Sequence, residues 1–251
     1  MKKFGTILSI VTVLAIIVGS VIHLRSCGSL SYDFKSGEGE NAESTFGEIY
    51  DKDFDNIDIE MALVEIKVKE GSSFAVDYKG KEKYKPIVKS EGDTLVVSNS
   101  DRSFNLSLMG DSKSNKLTVT IPKGKVFDKA KLETVMSDVE IDALNAETLD
   151  VSVPTGAINI KESKGKTLKA EVVKGDFSMV GDYTDLDIMA ALGNVEIDLA
   201  QDIGKYNITA NSQLGSIECG DVEVNGASSG SQNGDLGDIK VECSMGSVKI
   251  Y

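Results

Sequence analysis

From Ile57 onward, apolar and polar residues alternate with a period of two, the pattern of strands that bury one side and wet the other. No segment after residue 27 carries a 3.6-residue period over three turns, so the pattern predicts an all-β domain over residues 51–251. The alternation is itself repeated. With a glycine as position zero, apolar or small residues recur at −7, −5 and −3, and apolar ones at +2 and +4. Around Gly156 these are Leu149, Val151, Val153, Ile158 and Ile160; around Gly175 they are Leu168, Ala170, Val172, Phe177 and Met179. Gly193, Gly215 and Gly246 centre further copies, with Cys219 and Cys243 at inward positions, while Ser137 and Val64 stand where two others have glycine. From Ser137 to Gly246 the zero positions step by 19, 19, 18, 22 and 31 residues.

Each copy reads as strand, tight turn, strand, turn. Asp138, Asp176, Asn194, Ser216 and Ser247 follow the zero position, which is turn chemistry beside a residue free to take positive φ. One copy cannot bury its inward side alone. Copies stacked at about 4.8 Å per coil predict a parallel β-solenoid of two-strand coils about 19 residues long. The alternative is an antiparallel β-sandwich of hairpins, whose sign is a two-residue Asn-Gly or Asp-Gly turn. Only Asn225-Gly226 and Asn233-Gly234 have that form. Both lie by the insertion Gly226–Gly237, which reads as a loop bulging from the last coil. Residues 70–125 keep the alternation but not the glycine register.

The N-terminus is different. Lys2 and Lys3 precede a largely apolar stretch from Phe4 to Leu24 with no acidic or basic residue other than His23. A signal peptide has about 7–15 apolar residues and a small-x-small cleavage site, whereas a spanning helix needs about 17–25. The run predicts one N-terminal transmembrane helix within an anchor or uncleaved signal at residues 1–27. Lys2 and Lys3 favour the cytoplasm, which leaves the C-terminal domain outside the cell membrane as a single-pass protein. Leu24-Arg25-Ser26-Cys27 resembles a lipobox, with Arg25 as a mismatch, so Cys27 is a candidate lipidation site. Residues 28–50, rich in Gly, Ser and Glu, read as a flexible polar stalk.

Composition narrows the chemistry. A net charge of −13, from 27 Lys+Arg against 40 Asp+Glu, argues against a nucleic-acid partner. His23 is the single histidine, which removes imidazole triads and His-ligated zinc from the domain. Arg25 and Arg102 are the only arginines, too few for a phosphate or carboxylate clamp. Asp51, Asp53 and Asp55 open like a calcium loop, but Asn56 and Ala62 stand where an EF-hand needs Gly and Glu, so no metal or other cofactor is expected. Glu140, Glu196 and Glu218 share the +3 position as an outward column, readable as glycosidase carboxylates or as a solvated face. Tyr183 and Tyr206 could stack on sugars or pack at coil edges. Cys219 and Cys243 could pair, or remain small buried thiols.

The segment 117–141, with Ile121, Pro122 and Gly124 ahead of the repeated (G/S)-x-(V/I)-x-I units, resembles the bacterial "putative adhesin" domain-of-unknown-function family over residues 57–251. The resemblance implies a bacterial cell-envelope β-solenoid ectodomain, sometimes accessory to envelope-stress responses. Three functional expectations follow. The first is a non-enzymatic, membrane-anchored surface module that contacts a cell-surface polymer or protein. The alternative is an accessory regulator of envelope-stress signalling acting through the anchor, and a further alternative is a polysaccharide-active enzyme.

Overall fold

The computed structural model describes residues 43–99, 114–220, 222–225, 228–232 and 234–251. The chain divides into Met1–Gly37 and Glu38–Tyr251, and the description below concerns the second unit. The expected anchor, Cys27 and most of the stalk lie outside the described residues.

Among the described residues, 19 strands form one continuous sheet. In its middle, β8 (Val126–Thr134), β10 (Leu144–Thr155), β11 (Ile158–Lys174) and β12 (Phe177–Leu192) stack in parallel. The long strands bend, so one strand serves two sides of the coil. Residues before the zero position form a first face, and residues after it form a second face with β9 (Val139–Ile141) and β13 (Val195–Leu199). The solenoid expectation holds here in register: Leu149 lies beside Leu168 and Ala130, and Ile158 beside Phe177 and Val139. The inward positions fill the space between the faces. Leu149, Ile160, Leu168, Ile188, Ile197 and Val241 are all buried, each stabilising the stack by roughly 2 kcal/mol on the usual scale for an aliphatic side chain.

The turns explain the glycines. Gly156, Gly175, Gly193 and Gly246 have φ between +137° and +149°, a region side chains rarely enter. They also stack. A Cβ on Gly175 would lie 1.9 Å from the Gly156 carbonyl oxygen, and the same holds for Gly193 over Gly175. The +1 residues make a second ladder: Ala157 N–H donates to Asp138 Oδ1 at 2.8 Å, and Asn194 N–H to Asp176 Oδ1 at 2.7 Å.

At both ends the stack departs from chain order, which corrects the linear solenoid. After β13 the chain runs on to β14 (Asn207–Leu214) and β15 (Ser216–Cys219), one coil position beyond its neighbour. The last coil, β18 (Asp238–Met245) and β19 (Val248–Ile250), fills the gap. β18 pairs in parallel with β12 and β14, and β19 with β13 and β15. β16 (Val222–Asn225) pairs antiparallel with β15, and the segment Gly226–Gly237, expected to bulge as a loop, instead supplies β17 (Ser228–Gln232), antiparallel to β14.

The N-terminal end is arranged in the same way. β2 (Asn56–Met61) and β3 (Glu65–Gly71) lie between β8–β9 and an outer coil of β6 (Thr94–Asn99) and β7 (Lys116–Pro122). Residues 70–125 therefore hold a full coil. Its repeat spacing is lost because Val97 and Leu117, the partners of Ile59 and Ile66, stand 20 residues apart in sequence where Ile59 and Ile66 stand 7 apart. Antiparallel strands β4 (Phe74–Lys81) and β5 (Pro86–Glu91) complete that end against β7 and β6. Residues 43–50, assigned to the stalk on polar composition, form β1 (Glu43–Tyr50) antiparallel to β4, with Phe46 packed on the core. The sandwich alternative thus survives only as these antiparallel end pairs.

Candidate functional site: the two ladder faces

Parallel register turns each outward position into a column running along the stack. On the first face the −6 column reads Asp58, Lys131, Asp150, Lys169, Asp187, Lys240, acid and base alternating at each neighbouring pair. This order exists only because β18 sits beside β12; in chain order Thr209 would follow Asp187. The lysines at either side of the centre fold onto their own strands, Lys131 to Glu133 at 3.1 Å and Lys240 to Glu242 at 3.0 Å. Lys129 reaches Asp150 at 3.3 Å.

Beside this ladder, the −4 column places small Ser152 between Glu133 and Glu171. The result is a dent of about 250 Å³ lined by Ser152, Glu171, Lys169, Asp187 and Met189 among others. Burial, reinforced by the Glu133 charge, pushes the Glu171 carboxyl up from its ordinary value. Burial likewise raises Asp58, against the pull of Lys131. Neither Glu171 nor the ladder was apparent from inward periodicity. Reading the outward positions in columns would have found both.

On the second face, the +3 column carries the predicted glutamates. Hydrogen bonds from Lys161 and, against desolvation, from Lys67 hold Glu140 below the carboxylate range. Lys67 contacts Glu140 at 3.2 Å and Asp142 at 2.9 Å, and Lys161 contacts Asp142 at 2.7 Å, closing a four-charge network with Glu140. A carboxyl held ionised in this way is a poor proton donor for glycoside cleavage. Glu196 accepts from the Tyr251 hydroxyl, and Glu218 pairs with Lys249 at 3.1 Å. Because β19 intervenes, Lys249 stands between Glu196 and Glu218, and the three glutamates do not converge. A second dent, of about 270 Å³, lies over Ser178 and Asn159.

The remaining candidates are structural. Tyr183 and Tyr206 are both 0% exposed, so neither offers a sugar platform. Tyr183 Oη shares a hydrogen bond with Ser163 Oγ at 2.6 Å. Cys219 and Cys243 are free thiols. Asp53 and Asp55 each meet Lys125 at 3.0 Å, and among the described residues no cluster of three His, Cys, Asp or Glu could hold a metal.

No curated protein matches this sequence. Similar solved structures include a putative cell adhesion protein from Clostridium sporogenes, 12% identical, with TM-score 0.45, covering 83% of this chain and 99% of that one. A putative adhesin from Bacteroides fragilis is 14% identical, with TM-score 0.38 and coverage of 85% and 99%. A putative lipid binding protein from Parabacteroides distasonis is 12% identical, with TM-score 0.33 and coverage of 85% and 98%. Residues 54–133 and 126–251, which contain the stacked coils and their glycine ladder, match the Toastrack DUF4097 family, and the chain belongs to that family.

Proposed function

We propose that this chain is a non-enzymatic contact module held outside the cell membrane by residues 1–27. It would bind another surface component along the first face of the solenoid. The observation that carries this reading is the Asp–Lys ladder with its shallow dent, an extended polar face suited to a large or repetitive partner rather than to an enclosed substrate. The test uses intact cells producing the full chain. Its lysines are labelled with a membrane-impermeant amine reagent, and the cells are then scored for retention on immobilised wall polymer, on foreign surface protein and on the full chain itself. Labelling together with retention on one of these, both lost when residues 43–251 are deleted, is the expected result. A protected domain, or retention no greater than that of the deletion strain on all three, overturns it.

A further inference from the structure

We propose that the first face docks against the same face of a second copy of this chain. The two stacks run antiparallel about a twofold axis passing between Asp150 and Lys169. This names the partner of the contact module argued above and rests on that reading.

The −6 ladder begins with an acid, Asp58, and ends with a base, Lys240. Reversing it exchanges acid for base at each rung. A twofold-related copy therefore sets Asp150 against Lys169, Lys131 against Asp187 and Asp58 against Lys240, each twice, as an isologous interface requires. The uncharged residues Val96 and Thr209 lie beyond the two ends.

The neighbouring columns agree. At −8, Lys129 faces Asp185 and Thr148 faces Thr167. At −2, Val135 faces Ala191 and Pro154 faces Val173, apolar on apolar. At −4, Glu171 faces the dent over Ser152. Glu60 and Glu242 are the like-charged pair in that column. They share the outermost rung with Asp58 and Lys240, so that rung adds no net attraction, and Glu133 faces Met189 one rung further in; the attraction rests on the Asp150–Lys169 and Lys131–Asp187 contacts.

Of the charges nearest the axis, Asp150 already meets Lys129 at 3.3 Å, while Lys169 and Glu171 are available. Among the described residues, Lys169 and Glu171 have no ion-pair partner within 4.0 Å, whereas Lys131–Glu133 and Lys240–Glu242 are paired on their own strands. The second face lacks this property. Reversal there sets Lys67 against Lys249, Glu140 against Glu196 and Asp142 against Asp198, like on like. Charge complementarity thus selects one face and one orientation.

The test is sedimentation of the full chain in density-matched detergent, with Asp150→Lys and Lys169→Asp. Wild type is expected to dimerise. Each variant alone should self-associate more than about tenfold more weakly, because like charges meet twice at the axis. A one-to-one mixture of the two variants should recover wild-type association, because opposite charges then meet again in both contacts at the axis. Lys131→Asp and Asp187→Lys repeat the design one rung out if circular dichroism shows either first variant unfolded. Three results overturn the proposal: a monomeric wild type, a single variant that associates as wild type does, or a mixture that fails to recover. Retention of cells on wall polymer or foreign protein would still leave the broader contact-module reading standing in each case.

Discussion

The backbone N–H of Ser247 donates to the side-chain oxygen of Asn194 at 3.0 Å, across 53 residues of chain. Both follow turn glycines, and Gly246 stacks on Gly193 as closely as Gly193 stacks on Gly175. The last coil is therefore an interior layer. Ending the chain after residue 233 should expose parallel edges on β12 and β14 together and abolish cooperative unfolding in urea. If a truncated chain instead unfolded at the wild-type midpoint, the final coil would be an appendage.

Gly175 is held by conformation and by space. Gly175→Ala must place a Cβ at φ +145° and 1.9 Å from the Gly156 carbonyl oxygen. Backbone strain alone costs about 1–3 kcal/mol there, with the clash in addition. A loss of more than about 2 kcal/mol in denaturant unfolding is expected. Gly92→Ala, where a Cβ meets nothing within 4 Å, should cost less.

Leu63 takes the left-handed turn conformation at φ 58° without being glycine. Fully buried Asn115 donates to the Leu63 carbonyl at 3.0 Å and accepts from Lys81 N–H at 2.9 Å, while Asn99 bonds both backbone groups of Ala62. Asn115→Ala leaves the buried Leu63 carbonyl unmatched, at about 1–3 kcal/mol, and frees the half-buried Lys81 N–H as well. Chemical denaturation should therefore show a larger loss for Asn115→Ala than for Asn159→Ala on the exposed second face.

Burial raises the Tyr183 phenol from its usual value near 10 to about 12, against a smaller opposing effect of the Ser163 hydrogen bond. The folded state holds this proton more tightly than the unfolded state. Its contribution is complete below about pH 10 and is lost as the pH rises towards about 12. Tyr183→Phe should cost about 1 kcal/mol at about pH 7 through the lost hydrogen bond, yet lose less stability than wild type between about pH 7 and pH 11. Equal losses over that range, read from urea midpoints, would show that Tyr183 is not among the groups driving alkaline unfolding.

The inward register was fully legible: the residues predicted at −7, −5 and +2 around Gly156, Gly175 and Gly193 are buried. Coil order was not. Every coil presents much the same apolar triad inward, so any coil can stack on any other. The order is written in the outward residues instead, where Asp187, already beside Lys169, finds a complementary next neighbour in Lys240 and would not find one in Thr209. The outer N-terminal coil escaped notice because Asn99 replaces an apolar residue at the −3 position. The dent depends on Ser152 being smaller than Glu133 and Glu171 on either side, a relation between coils that reading along the chain does not display.

The interior placement of the terminal coils also sets how the domain answers to tension. In a linear solenoid the terminal strand borders only one neighbour, and a pull on the chain end unzips it bond by bond. Here a pull at residue 43 first peels β1 from β4, and then meets β2 and β3 with a parallel strand on each side. Two ladders must then shear together. A load entering at the N-terminal end of the domain thereby meets its reinforced side, and forced unfolding is governed by that barrier rather than by equilibrium stability.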